Sequence, residues 1–265
     1  MITCQLPPLG DSDDKIYTTA NSVVMLDGAS AFLPVPVSPS EYAEALGGHL
    51  QGLLERSPAG DLRQTLAMAI HAVVDDLDLR PGCSPSSTVT IVRWLEDFLD
   101  VLVLGDNLVA TPGQIITDER IDQLDLAPRR AYRQRLAEGH GFDATHHAIL
   151  RTLQAQQAER RNREDGYWIA EAEPTAAEAA VVTRLPLSAA PWLVLATDGA
   201  YEPMRHLELD DWEHLATLDE VGLQRVLNRC QRWEAEVDPL ARELPRAKPH
   251  DDKSLAVIRP DCYSG

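Results

Sequence analysis

Cysteine is scarce: only Cys4, Cys83, Cys230 and Cys262 occur in 265 residues, and none stands in a Cys-x-x-Cys spacing. That scatter argues against a zinc site or a disulfide framework and fits a reducing, cytoplasmic setting. No apolar run approaches the ~18–20 residues needed to cross a bilayer. The N-terminus through Pro8 lacks the basic-then-apolar layout of a secretory signal. The expectation is a soluble chain retained in the cell, with no membrane partner. Basic residues are also short, 24 Lys and Arg against 42 Asp and Glu, for a net charge of −18. Association with phosphate backbones or anionic lipid would add repulsion, so nucleic acid is not an expected partner. No internal repeat, Gly/Ser linker or low-complexity tract divides the chain. Nor does any Ser/His/Asp or Cys/His arrangement present a convincing side-chain nucleophile.

What is present is a 44% hydrophobic content, enough for a sizeable core, arranged in segments of two periods. Ile16 to Leu26, ending in Val23-Val24-Met25-Leu26, reads as two strands or a hairpin running into a turn at Asp27-Gly28. Pro34, Pro36 and Pro39 then break the chain. Apolar residues recur at helical spacing from Glu41 to Glu55 and from Leu62 to Leu79, where Pro81-Gly82 stops the second helix. Strands are expected at Ser87–Val92 and Phe98–Leu104, a turn at Pro112-Gly113, and helices near 123–138 and 144–163. Farther on come a strand at Trp192–Thr197, a helix near 220–236 and a strand at Ser254–Ile258. The simplest organisation is one domain over 1–265, with a helical and flap insertion around 120–175.

Four acidic positions share a local context in which an apolar strand meets Asp-Gly, Gly-Asp or an Asp pair. They are Asp27 in Met25-Leu26-Asp27-Gly28, Asp106 in Leu104-Gly105-Asp106, Asp198 in Ala196-Thr197-Asp198-Gly199, and Asp251-Asp252 before Lys253-Ser254. Singly, each is an ordinary turn, because Gly tolerates positive φ and Asp bonds its own backbone. Together, carboxylates at strand ends can converge on one edge of a sheet and supply the oxygen ligands that hard divalent cations require.

The ordered set resembles the PP2C family of metal-dependent protein serine/threonine phosphatases, in particular its bacterial members. Ser12-Asp13-Asp14 occupies the place of the family's Asn-Glu-Asp-like motif, and Val23-Val24-Met25-Leu26-Asp27-Gly28 matches its strand into Asp-Gly. Ser86-Ser87-Thr88-Val89-Thr90 with Val101 to Asp106 is similar to its central paired strands. Thr197-Asp198-Gly199 and Asp251-Asp252-Lys253-Ser254 are similar to its two late motifs. The resemblance spans residues 13 to 258 in order. It implies an α+β fold, a four-layer α-β-β-α sandwich of two antiparallel sheets flanked by helices, with a metal centre at one end. It also implies two divalent cations, Mn²⁺ or Mg²⁺, that activate water. Asp27 would bridge them, the Gly28 carbonyl would complete one shell, and Asp198 and Asp251 would hold the other ion. Asp14 would act directly or through water, and Asp106 with Asp198 would support a third, weaker cation. The implied substrate is a phosphorylated protein.

The chain departs from the family at identifiable positions. Many members carry a phosphate-gripping Arg before the Asn-Glu-Asp motif, where Leu9 stands here, and some follow Asp-Gly with His, where Ala29-Ser30 follows. The family's usual Gly-Gly after that motif is missing too. Arg93, Arg120 and Lys253 are candidate replacements for the missing Arg. His250 beside Asp251 reads as structural or exposed more readily than as a proton shuttle, and His146-His147 reads as exposed helix surface. Gly166-Tyr167-Trp168 falls where the family carries a mobile flap; its aromatics would either contact a protein substrate or pin the segment to the sheets. Leu9 and Ala29 favour an alternative, a catalytically weak regulatory or binding module. A third reading is hydrolysis of a small phosphate ester.

Overall fold

The computed structural model describes residues 1–260; Cys262 lies outside the described residues. In chain order the strands and helices are β1 (Ile2–Leu6), β2 (Lys15–Thr18), β3 (Ser22–Gly28), α1 (Pro39–Arg56), α2 (Leu62–Leu77), β4 (Ser87–Trp94) and β5 (Phe98–Leu104). There follow β6 (Leu108–Thr111), β7 (Gln114–Ile116), α3 (Ala127–Ala137), α4 (Ala144–Ala158), β8 (Val181–Pro186) and β9 (Leu193–Ala196). The last are α5 (Asp198–His206), α6 (Trp212–Leu215), α7 (Glu220–Glu236) and β10 (Lys253–Ile258).

The strands form two five-stranded sheets, β2-β3-β4-β5-β8 and β1-β10-β9-β6-β7, every pairing antiparallel. The run Val23–Leu26 is apolar at every position because both faces of its sheet are covered. Val23 and Met25 point into the core between the sheets with Val92, Val101, Val103, Leu193, Leu195, Ala256 and Ile258. Val24 and Leu26 point the other way, against Tyr42, Leu46 and Leu50 of α1 and Leu66, Ile70 and Val73 of α2. The outer face of the second sheet buries Val194, Ala196, Leu255 and Val257 beneath Met204 of α5 and Leu223, Leu227 and Cys230 of α7. The four layers are therefore α, β, β, α, as the resemblance implied.

Local chemistry sets the element ends. Ser38 caps α1, its Oγ accepting from Glu41 N at 3.1 Å with Pro39 in the first turn, and Asp61 caps α2 through Gln64 N at 2.9 Å. The helices α3 and α4 close a smaller apolar cluster of Tyr132, Leu136, Leu150 and Leu153 with Ala241. From α4, Gln154 Oε1 accepts from Phe32 N at 2.7 Å and Leu33 N at 2.6 Å, and its Nε2 donates to Ser30 O at 3.0 Å. One side chain thus ties the loop after Gly28 to the helical pair. The segment 162–174 is pinned: Ala170 bridges Ser87, Tyr167 is buried, and Trp168 packs on the core beneath α1 and α2.

Six elements went unread in the sequence, among them the four-residue helix α6. β1 mixes Thr3 and Gln5 with apolar residues, and β6 and β7 flank the Pro112-Gly113 turn with strands of only four and three residues. β8 lies at a sheet edge, alternating half-buried and exposed positions. α5 contains Gly199 and Pro203, both of which read as helix breakers. Among the described residues no helix is long and apolar enough to cross a membrane.

Candidate metal centre

The register brings the acidic positions to one end of the sandwich. Asp27 and Gly28, at the end of β3, lie opposite Thr88 and Ser87 at the start of β4, and β5 leaves the sheet toward Asp106 beside them. In the other sheet Ala196, at the end of β9, pairs with Leu255 of β10 and Leu108 of β6, which places Asp198, Asp251 and Asp106 at the same end. A cavity of about 240 Å³ opens there, lined by Asp27, Asp106, Asp198 and Asp251 together with Asp122 and Glu202. Two of these, Asp122 and Glu202, went unread in the sequence. Glu202 stands one helical turn after Asp198 on the same face of α5, a signal that needed the helix itself to be recognised.

Asp14 lies behind the cavity, with no exposed surface. Its Oδ2 accepts from Thr197 Oγ1 at 2.9 Å and Ser254 Oγ at 2.7 Å, which ties the start of β2 to β9 and β10. Its Oδ1 is buried without a hydrogen-bond partner. The neighbouring Asp252 accepts from Ser12 Oγ and Asp13 N, so the second aspartate of the late pair braces the turn that carries Asp14. Two glycines permit the convergence. A Cβ at Gly199 would stand 2.1 Å from Asp252 O, and one at Gly28 would stand 3.0 Å from Asp13 O. Side chains there would push apart the backbones that deliver Asp198, Asp251 and Asp14.

Concentrated negative charge dominates the electrostatics. Burial first, offset in part by hydrogen bonds from Ser254 and Thr197, raises Asp14 to about 7. Asp198 rises to about 6 through burial and then Asp251, offset in part by Asp27. Asp27 is held well above the usual carboxylate range by burial and by Asp14, Asp198, Asp251 and Asp106. Asp106 is held well above it by burial, then Asp198 and Asp122. Glu202 rises to about 7 through burial, then Asp198 and Asp122. Carboxyls this close keep their charge only when something positive joins them.

Among the described residues, no three Asp, Glu, His or Cys side chains close into a ready-made metal cage. Asp251 Oδ1 instead meets Lys248 Nζ at 2.7 Å. The donor set nonetheless suits a hard divalent cation. It is all oxygen, it comes from rigid strand and helix ends, and it includes the unpartnered buried Oδ1 of Asp14.

The candidate phosphate grips fall elsewhere. Arg93 sits at the far end of β4, bonded to Asp100 at 2.6 Å, and Arg120 pairs with Asp118 at 2.5 Å. Lys253 is buried against Glu234 at 2.9 Å. Each guanidinium or ammonium is spent on a structural partner, so none of these three faces the cavity. His250 Nδ1 also meets Glu234, at 2.9 Å, a structural role. His147 lies on the surface of α4 as expected, whereas His146 is a core residue, edge-on to Tyr132 and Phe142 with Nε2 at 2.9 Å from Ala247 O. Leu9 lies in a short 3₁₀ turn, and Ala29 and Ser30 line the cavity.

No protein-family model matches the sequence, and no curated protein does. Solved structures do match. The PPM Ser-Thr phosphatase MsPP from Mycobacterium smegmatis, in complex with cacodylate, is 15% identical, covers 97% of this chain and 95% of its own, and superposes with a TM-score of 0.50. PppA, a regulatory component of the T6SS in Pseudomonas aeruginosa, is 16% identical over 93% of this chain and 90% of its own, with a TM-score of 0.50. A bacterial serine phosphatase is 11% identical over 93% and 91%, with a TM-score of 0.50. At these identities the likeness is one of architecture, and the architecture of this chain is that of the PP2C-type serine/threonine phosphatases.

Proposed function

We propose that this chain hydrolyses phosphoserine and phosphothreonine esters on proteins, using two divalent cations, Mn²⁺ or Mg²⁺. The observation that carries the reading is the convergence of Asp27, Asp106, Asp198 and Asp251 on one cavity. Asp27, the Gly28 carbonyl, Asp198 and Asp251 would hold the two cations, with Asp14 behind them and Asp106 available to a third. When bound, such cations supply Lewis-acid activation of water and positive charge for the phosphoryl oxygens. The chain's own residues do the positioning. Thr197 and Ser254 orient Asp14, Thr88 Oγ1 accepts from Asp27 N at 3.0 Å, and buried Tyr167 and Ile169 wall the cavity on the side of the 162–174 segment. The whole chain is read as one catalytic domain, with α3, α4 and that segment inserted beside the site.

The fold neighbour MsPP is a Ser-Thr phosphatase, which sets the same chemistry beside the same architecture. Free thiols at Cys4, Cys83 and Cys230 suit a reducing compartment, and the acidic surface suits neither nucleic acid nor membrane. One pair of observations favours a weak or regulatory module instead: Leu9 stands where an Arg would grip phosphate, and Asp251 is engaged by Lys248. Competition decides the substrate class. With Mn²⁺ present, a phosphothreonine peptide should be dephosphorylated at concentrations where sugar phosphates neither turn over nor compete. Preferential turnover of the small esters would assign the chain to them.

A further inference from the structure

The loop that follows α7 brings a lysine into an acidic site. It is braced on several sides. Asp238 accepts from Arg242 N, Glu243 N and Leu244 N and pairs with Arg246 at 3.0 Å, Arg246 Nε donates to Pro249 O at 2.9 Å, and His146 Nε2 stands 2.9 Å from Ala247 O. Lys248, between two anchored neighbours, reaches Asp251 Oδ1 at 2.7 Å with a side chain only 27% exposed, while Asp27 and Asp252 add to the negative field around it. Lys253, the other lysine beside Asp251, is committed to Glu234 and to Asp251 O.

We propose that Lys248 is the resident counter-cation of the carboxylate centre: its ammonium neutralises Asp251 until a divalent cation takes that carboxylate, so Lys248 sets the affinity of the centre for the cation and is released when it binds. The inference rests on the metal-binding reading above. Physically, a cation entering the site must displace a partially buried ion pair and then sits near the ammonium's positive charge. Both effects weaken its binding. Holding the lysine on a braced loop keeps the repelling aspartates compatible with a folded chain before the cation arrives.

The test is Mn²⁺ binding by calorimetry, without substrate, for wild type, Lys248→Met and Lys248→Arg. Lys248→Met should bind Mn²⁺ about tenfold more tightly. It should also melt lower in chelator and show a larger Mn²⁺-induced rise in Tm, while Lys248→Arg stays near wild type. Should Lys248→Met fail to fold, acylation of wild-type lysines read by peptide mass spectrometry gives the same answer: labelling of Lys248 should rise several-fold on adding Mn²⁺. Equal Mn²⁺ affinity in wild type and Lys248→Met, or labelling that Mn²⁺ leaves unchanged, overturns the proposal. So does unchanged affinity with a raised KM for phosphopeptide, which would make Lys248 a phosphate grip. Absence of Mn²⁺ binding in every form would overturn the metal-binding reading itself.

Discussion

Asp14 shows how far a single position was readable. Its acidic type and its place before a strand were visible, and its two hydroxyl partners were not, because Thr197 and Ser254 lie 183 and 240 residues away along the chain. Only the pairing of β10 with β9 brings them together. Replacing Ser254 with Ala removes one donor from a fully buried carboxylate and should cost about 1–2 kcal/mol of stability in the metal-free protein, measured by urea unfolding. A cost near zero would mean that Asp14 is held by something other than these hydroxyls. Lys248 and Glu202 were unreadable for the same reason. A lysine twelve residues past the end of α7 and a glutamate on an unrecognised helix acquire meaning only from the acidic neighbours that the fold supplies.

At the scale of elements, long periodic segments were legible and short or breaker-containing ones were not. β5 and α7 lie where their patterns placed them, because each buries a continuous face. α5 was hidden because Gly199 is demanded by the close passage of Asp252 O, and Pro203 interrupts the pattern; tertiary contact overrode local propensity. Adjacent glycines in α1 make a sharper test of such packing. A Cβ at Gly47 would fall 2.0 Å from the Tyr17 ring, whereas at Gly48, which is exposed, nothing lies within 4 Å. Gly48→Ala should stabilise by about 0.5–1 kcal/mol through helix propensity. Gly47→Ala should destabilise by about 1–3 kcal/mol through overpacking. Thermal unfolding of both variants checks the docking of α1 on β2, and equal effects would contradict it.

The whole molecule combines a net charge of −18 with a centre that protonates near neutrality. Asp14 at about 7, Asp198 at about 6 and Glu202 at about 7 all lie above their unfolded values, so the folded chain keeps protons that the unfolded chain releases. Their contribution to stability is present below about pH 4 and is lost as pH rises through about 6–7, a change on the order of a few kcal/mol. Asp100 and Asp238 are shifted downward by their arginine and backbone donors and act oppositely, losing their contribution only as pH falls below about 4. The Tm of the metal-free protein should therefore fall between pH 5 and pH 8, and saturating Mn²⁺ should flatten that slope by replacing the protons. A Tm that rises across this range in chelator would contradict the electrostatic picture.

Whether these carboxylates form a hydrolytic metal centre is decided by phosphate release from an aryl phosphate and a phosphothreonine peptide with Mn²⁺, with Mg²⁺ and with chelator, comparing wild type with Asp198→Ala. A hydrolytic centre should give turnover that requires a divalent cation and falls at least about a thousandfold in the folded variant. Folded wild-type protein that releases no phosphate with either metal, or a variant that retains wild-type turnover, would contradict it.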